Sequence, residues 1–248
     1  MKARIVVATA GTLLVSGIAQ AAEIQVLASN AIKAAYLELV PEFEKSSGHK
    51  VTTTWSGTLD IKKRLAAGET YDLLIMAAPE VDDFIKQGKV AAGSRIDLVK
   101  SGVGIAVKAG APKPDISSAE SIKAVLLSAK SIGYSQGPSG AYLVSLFQKM
   151  GVADAIKDKV KVSVVGQPVG NMVASGEAEI GFQQVSELLP VKGIEFLGPL
   201  PASIQQVTTF SAGQFAATKE AAAAKALAAF LAAPAATPVK KKHGLEPG

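Results

Sequence analysis

From Ile24 onward the chain alternates short apolar runs with longer stretches of helical periodicity, and few folds accept that alternation. Ile24 to Ala28 reads as a buried strand. Residues 31–46 place Ile32, Ala35, Tyr36, Leu39, Val40 and Phe43 at helical spacing, with Gly48 as the stop. Pro41 lies inside this pattern and is expected to kink or split the helix, because proline removes one backbone donor and crowds the preceding turn. Val51 to Trp55 predicts the next strand. Ser56-Gly57-Thr58 then opens a helix that carries Leu59, Ile61, Leu65 and Ala66 and stops at Gly68. Asp72 to Met76 predicts a third strand, followed by a helix near 80–87. Such a β-α-β-α-β succession implies a parallel sheet with helices on its faces.

A second section repeats the style without repeating the sequence. Val103 to Lys108 reads as a strand, 118–129 as a helix, Ile132 to Ser135 as a strand and Gly140 to Met150 as a helix. Val160 to Val165 is a strand, 168–176 a short helix and Glu179 to Phe182 a strand. Residues 207–216 return as a strand, and an Ala-rich helix spans about 219–233 with Thr218 as its cap. The fold class is therefore α/β with two lobes, each a mostly parallel sheet flanked by helices. Residues 22–102 plus 213–248 form lobe one, and residues 103–212 form lobe two. Crossings near Lys100–Val103 and near 200–213 give two connecting strands, so the lobes hinge and a ligand sits in the cleft between them.

The segment ahead of the first strand has a different character. Lys2 and Arg4 are followed by the apolar run Ile5–Ile18 and by Ala19-Gln20-Ala21, which predicts a signal peptide at 1–21 with cleavage after Ala21. The apolar run is shorter than the ~20 residues of a membrane span, so no membrane anchor is expected. Export to a periplasm follows. The whole chain carries 26 Lys and Arg against 21 Asp and Glu. Removing 1–21 takes two cations and no acid with it. The remaining surplus is small, and without a dense basic patch it predicts no nucleic-acid partner. Lys240-Lys241-Lys242 is expected to be a solvated tail or a complement to a helix end. No cysteine is present, which excludes disulfides, thiol catalysis and Cys-ligated metal, and two histidines make a histidine metal site or triad improbable. No cofactor and no metal are expected.

Four polar loops stand where a strand hands over to a helix, at the strand ends where open α/β sheets bind ligands. They are Ala28-Ser29-Asn30, Trp55-Ser56-Gly57-Thr58, Ser135 through Tyr142 with Gln136, Ser139 and Gly140, and Gly166 through Asn171 with Val169. Helix starts offer unpaired N–H groups and a partial positive charge, which suits an anion. Each loop also has an ordinary explanation: Ser29 and Ser56 as caps, the glycines as turn formers, Pro138 and Pro168 as helix starters. None fits a nucleotide-binding glycine pattern. In the segment Gly181 to Glu187, Gln183 and Gln184 directly follow a strand and could donate to ligand oxygens. Glu187 is expected to cap or decorate the following helix rather than titrate in a site.

These residues bring a resemblance. The segments VLASNAIKAAYLELVPEFEKSSGHKV, WSGTLDIKKRLAAGETYDLLIMAAP, SQGPSGAYL, GEAEIGF and KALAAFLAAPAATPVKKKHGLEP resemble the type II periplasmic solute-binding proteins, in particular the molybdate-binding-protein-like group. The resemblance implies two lobes closing on an oxyanion held by hydroxyls and backbone N–H groups. Ser29 and Ser56, with Gly57 and Thr58 beside the latter, match the family's serines, while Ser139 and Val169 match backbone donors. A tyrosine that commonly contacts the oxyanion is replaced by Gln184, which turns the expectation from molybdate or tungstate toward a carboxylate. GFQQVSELLPVKGIEFLGPLP and KSGVGIAVKAGAPKPDISS look closer to the branch that includes aconitate isomerase. Two functions follow. One is binding of a small organic polycarboxylate for an inner-membrane ABC permease, by a monomer. The other is an allylic proton shift, for which Glu187, Tyr142 or Lys33 could be the base.

Overall fold

A computed structural model describes residues 21–164 and 167–248. The expected signal peptide at 1–21 lies almost wholly outside the described residues. The first half of the sheet is built as expected. Strand β1 (Glu23–Ser29) leads through a short 3-10 turn, Asn30–Ile32, into α1 (Lys33–Ser47), then β2 (Lys50–Ser56), α2 (Thr58–Ala66), β3 (Leu73–Ala77) and α3 (Ala78–Lys86). Gly48 ends α1 in a left-handed conformation at φ 75°, where its N–H donates to the Glu44 carbonyl. Of the two outcomes expected at Pro41, the helix is not split: α1 continues through it. The proline sits on an exposed face, and the Leu37 carbonyl it leaves without a helical donor belongs to an exposed residue.

Next comes β4 (Ile96–Lys108), followed by α4 (Ala119–Ser128), β5 (Ile132–Tyr134), α5 (Pro138–Lys149), α6 (Ala153–Ile156), β6 (Val160–Val162), α7 (Val169–Ser175), β7 (Ile180–Gln184) and α8 (Val185–Leu188). The chain closes with β8 (Ile194–Pro199), β9 (Val207–Gln214), α9 (Ala221–Ala232), α10 (Thr237–Lys242) and the two-residue β10 (Glu246–Pro247).

The strands run in the order β2-β1-β3-β9-β4-β7-β5-β6. Parallel pairs join β1 to β2 and β3, and again β5 to β6 and β7, while β9 and β4 run antiparallel to their neighbours. This mixed, curled sheet with helices on its faces is the two-lobed α/β arrangement. The first part of β4, up to Gly102, pairs with β9; from Val103 it pairs with β7 and β8. Pairing of β9 starts at Val207, so a boundary between 212 and 213 falls inside a strand.

Alternation along the strands separates the cores. Val26, Ala28, Leu73 and Ile75 pack with α1 and α9 on one face, while Leu27, Leu74 and Met76 pack with Ile61, Leu65 and Phe84 on the other. A separate cluster joins Val103, Ile105, Ile132, Leu143, Phe147 and Phe182. Full burial of such side chains contributes ~1.5–3 kcal/mol each. Two expectations at the C-terminal end change. Thr218 does not cap α9; Glu220 is the cap residue, and the Thr218 hydroxyl accepts from its N–H. Of the two alternatives for Lys240-Lys241-Lys242, the helix end holds and the solvated tail does not: all three stand in the last turn of α10. Lys240 is buried there, its Nζ donating to the Leu98 carbonyl at 2.9 Å, while Lys242 pairs with Glu38.

Candidate functional site

The carboxyl ends of β1, β2, β5 and β7 open on one cleft of about 920 Å³ between the two halves of the sheet. Lobe one supplies Ser29, Asn30, Lys33, Trp55 and Ser56–Asp60. The other half supplies Ser135–Ser139, Ser163, Asn171, Gln183, Gln184, Ser186, Glu187 and Lys192. Of the residues picked from sequence, Ser29, Asn30, Ser56, Gly57, Thr58, Gln136, Ser139, Gln183 and Gln184 line the cleft. Gly140 and Val169 do not: both are buried away from it.

Hydrogen bonds divide these residues into committed and uncommitted groups. Ser29 caps the 3-10 turn, its Oγ accepting from Ala31 N at 3.3 Å, which leaves its own proton for another partner. Ser56 Oγ donates to Asp60 Oδ2 at 2.5 Å, and Arg64 Nε donates to the same oxygen at 2.8 Å. These two bonds hold the Asp60 carboxyl below the usual range. Ser56 is thus tied into lobe one rather than free. At the start of α2, Thr58, Leu59 and Asp60 carry the N–H groups that precede the first helical bond, from Ile61 to Gly57 O. Across the cleft, α5 starts at Pro138, and its first helical bond runs from Ala141 to Gly137 O. Ser139 there is 1% exposed, and its Oγ has no hydrogen-bond partner. An orphaned buried hydroxyl beside two helix starts is costly unless something bonds it.

The glutamines behave differently from the expectation. Both lie inside β7 rather than after it. Gln183 Oε1 accepts from Val169 N at 3.0 Å, and its Nε2 donates to Glu187 Oε1 at 2.9 Å. This consumes the Val169 N–H that the family resemblance offers to a ligand. The Gln184 carboxamide turns so that its nitrogen donates to the Ser101 and Gly102 carbonyls at 3.0 and 3.2 Å and its oxygen accepts from Thr208 Oγ1 at 3.1 Å. Gln184 thereby ties β7 to β4 and β9 where the chain crosses between halves. Ser186 reinforces the crossing, its Oγ donating to the Ala31 carbonyl at 2.7 Å.

Charge in the cleft is unevenly placed. Lys33 lies 5.5 Å from the Trp55 ring centroid, and that ring packs edge-on against Tyr36 at 5.0 Å. Lys33 and Lys192 come from opposite halves. Neither is among the ion pairs of the described residues, whereas Arg64 is held by Asp60 and Glu69. Glu187 is half-buried on the wall, and burial pushes its carboxyl up to about 7 against the lowering effect of the Gln183 bond. It does not simply decorate α8. Of the other two base candidates, Tyr142 is absent from the lining and its hydroxyl donates to Ile204 O at 2.6 Å, while Lys33 is exposed at the mouth. Lys192 was not picked out from the sequence: it lies in a segment quoted only for its resemblance, between a four-residue helix and a strand that the apolar pattern did not signal. Among the described residues no cluster of three or more His, Cys, Asp or Glu could hold a metal.

The family model described as bacterial extracellular solute-binding protein matches residues 24–246. The chain belongs to the bacterial extracellular solute-binding protein family. Within it, this solute-binding protein is 36% identical to an aconitate isomerase from Pseudomonas sp over 228 residues, covering 90% of this chain and 87% of the relative. It is 29% identical to the molybdate-binding protein ModA of Azotobacter vinelandii, covering 97% of this chain and 96% of that one. The crystal structure of the A. vinelandii periplasmic molybdate-binding protein superposes with a TM-score of 0.72 at 18% identity, over 90% of this chain and 98% of that one. These matches bear out the type II, molybdate-binding-like fold.

Proposed function

We propose that this solute-binding protein is exported and holds a small organic polycarboxylate between its lobes, residues 22–102 with 207–248 and residues 103–206. One observation carries the reading: Lys33 and Lys192 stand on opposite walls, unpaired with any carboxylate among the described residues. Two separated cations fit an anion whose charges are themselves separated. Ser29, Asn30, Gly57, Thr58, Gln136 and Ser139 supply neutral donors between them, while Gln183 and Gln184 build the wall and the crossing. A monomer delivering its ligand to an inner-membrane permease is the accompanying expectation.

The test is calorimetry with trans-aconitate, cis-aconitate, citrate, molybdate and sulfate. A polycarboxylate is expected to bind, and K33A/K192A to weaken it by about 5- to 30-fold, from ~1 kcal/mol per exposed pair. Binding of molybdate alone, or unchanged affinity in the double variant, refutes the reading.

A second reading is favoured by Glu187. An allylic proton shift needs one group beside the ligand that accepts and returns a proton. Glu187 is the cleft carboxyl that no cation neutralises, and the relative with 36% identity is named an aconitate isomerase. Incubation with trans-aconitate, followed by NMR detection of the cis isomer and its loss in E187Q, tests it. Binding without conversion leaves the first reading.

A further inference from the structure

We propose that the cleft takes up its anion together with a proton, carried on the Glu187 carboxyl. The proposal rests on the polyanion reading of the cleft and deepens it.

The geometry singles out one acid. The ionisable side chains lining the cleft are Lys33, Asp60, Arg64, Glu187 and Lys192. Asp60 is neutralised by Arg64 and bonded by Ser56. Glu187 has only a neutral donor. Val169 N–H holds Gln183 Oε1, so the amide cannot turn without leaving that N–H unpartnered, and its Nε2 is therefore fixed on Glu187 Oε1. The second carboxyl oxygen has no protein donor among the described residues.

The elements packed on α8 add no compensating charge. The residues of β7, α7 and the 3-10 turn include no ionisable side chain. From β4, Asp97 is bound by Arg95 and Ser211, and neither Lys100 nor Lys108 lines the cleft. From β8, Glu195 pairs with Lys113. From α1, Lys33 is the ionisable side chain that lines the cleft. From the C-terminal segment, where Gly244 approaches Val185 and Leu189, His243 is bonded to Glu38.

An anion placed beside Glu187 disfavours its ionised form and leaves the neutral form untouched. The neutral carboxyl can also donate to the anion, which the carboxylate cannot. Ligand binding therefore raises the pH at which Glu187 titrates. In the free protein burial already puts that pH at about 7. Below it Glu187 is protonated in both states, and affinity is flat. Above it the ligand must bring a proton with it, so affinity falls by up to about tenfold per pH unit until the bound form also ionises. A proton-shift reaction uses the ionised form, so turnover would move with pH opposite to affinity.

Calorimetry of the full chain with trans-aconitate and with citrate at pH 8, in phosphate and in Tris, counts the protons. Uptake of between half and one proton is expected in the wild type, and none in E187Q, whose amide oxygen still accepts from Gln183 and whose affinity should be independent of pH from 7 to 9. Binding without uptake in the wild type, or undiminished uptake in E187Q, overturns the proposal. Absence of binding by either probe at pH 6 overturns the polycarboxylate reading instead. A direct check needs no ligand: the carboxyl 13C resonance that disappears in E187Q should titrate near pH 7, and titration near the ordinary value of about 4 defeats the proposal.

Discussion

Gly140 offers the sharpest test of how the cleft wall is built. A Cβ at this position would lie 1.6 Å from the Ser135 carbonyl oxygen and 2.8 Å from its carbon. Ordinary contacts begin beyond about 3.4 Å, so the backbone at 135 would have to retreat by roughly 2 Å, because no side-chain rotation relieves a clash with a carbonyl. That carbonyl belongs to the loop that leads into α5 and carries Gln136 to the cleft. The cost belongs at the upper end of overpacking, about 3 kcal/mol or more. For a chain of this size each kcal/mol lowers the melting temperature by ~2–4 °C, so G140A should melt ~6–12 °C below the wild type. The control is G57A. Gly57 has φ −84° and nothing within 4 Å of its Cβ position, so its melting point should stay within ~2 °C. Circular-dichroism melts under reversible conditions, with ligand titration at 20 °C, read both effects. A G140A protein that melts within ~2 °C of the wild type and binds normally would refute the claim that Gly140 sets the loop.

Other substitutions separate structure from binding. S29A removes a cap and should cost ~0.5–2 kcal/mol in denaturant titration, so its ligand affinity must be read well below the melting transition. S139A removes an unbonded buried hydroxyl, so stability should hold or rise slightly while anion affinity falls ~10- to 100-fold, from the ~1.5–3 kcal/mol of a bond to a charged group; unchanged affinity would remove Ser139 from the site. S186A deletes the bond to Ala31 O and should destabilise by ~1–3 kcal/mol, measured by urea unfolding. Burial lowers the value at which Lys240 titrates, so between that value and about 10.4 the unfolded chain binds more protons than the folded one. Stability relative to K240M should therefore rise from pH 7 to 10, and a flat difference would contradict a buried charge.

The strands and helices that position the site were legible because apolar spacing and glycine stops agree. Lys33–Ser47 and Thr58–Ala66 each show a helical period with a glycine stop at Gly48 and Gly68, while Leu73–Ala77 is a short, continuously apolar run buried throughout. β8 was not legible: its residues are only half-buried or exposed, and it pairs with β4 alone, so no alternation marks it. The unbroken run of β4 from Ile96 to Lys108 was hidden by Asp97, Lys100, Ser101 and Gly102, which interrupt the apolar pattern while neighbours on both sides hold the strand. At the site, the cap at Ser29 could be read locally, whereas Ser56 does not cap α2: Gly57 holds the cap position and the Ser56 hydroxyl donates to Asp60. The roles of Gln183 and Gln184 could not be read locally, because which carbonyl or N–H an amide meets is a tertiary fact. Glu187 looked like helix decoration for the same reason: only the folded wall takes it partly out of water.

The charges of the cleft point to a division of labour. The helix starts at α2 and α5 and the hydroxyls of Ser29 and Ser139 are neutral donors, which serve any oxyanion alike. Lys33 and Lys192 are exposed, so salt screens them and each supplies little affinity; they select by position, favouring an anion whose charges are far enough apart to reach both walls. Glu187 then works against anions in its ionised form and with them in its neutral form. An acid retained at an anion site without a cation beside it is a net cost if it stays ionised. The cost vanishes when the carboxyl is neutral, and the same group becomes a donor. The glutamine that fixes it, itself fixed by Val169 N–H, therefore spends its amide not on the ligand, as its sequence position suggested, but on the cleft carboxyl that burial pushes up to about 7.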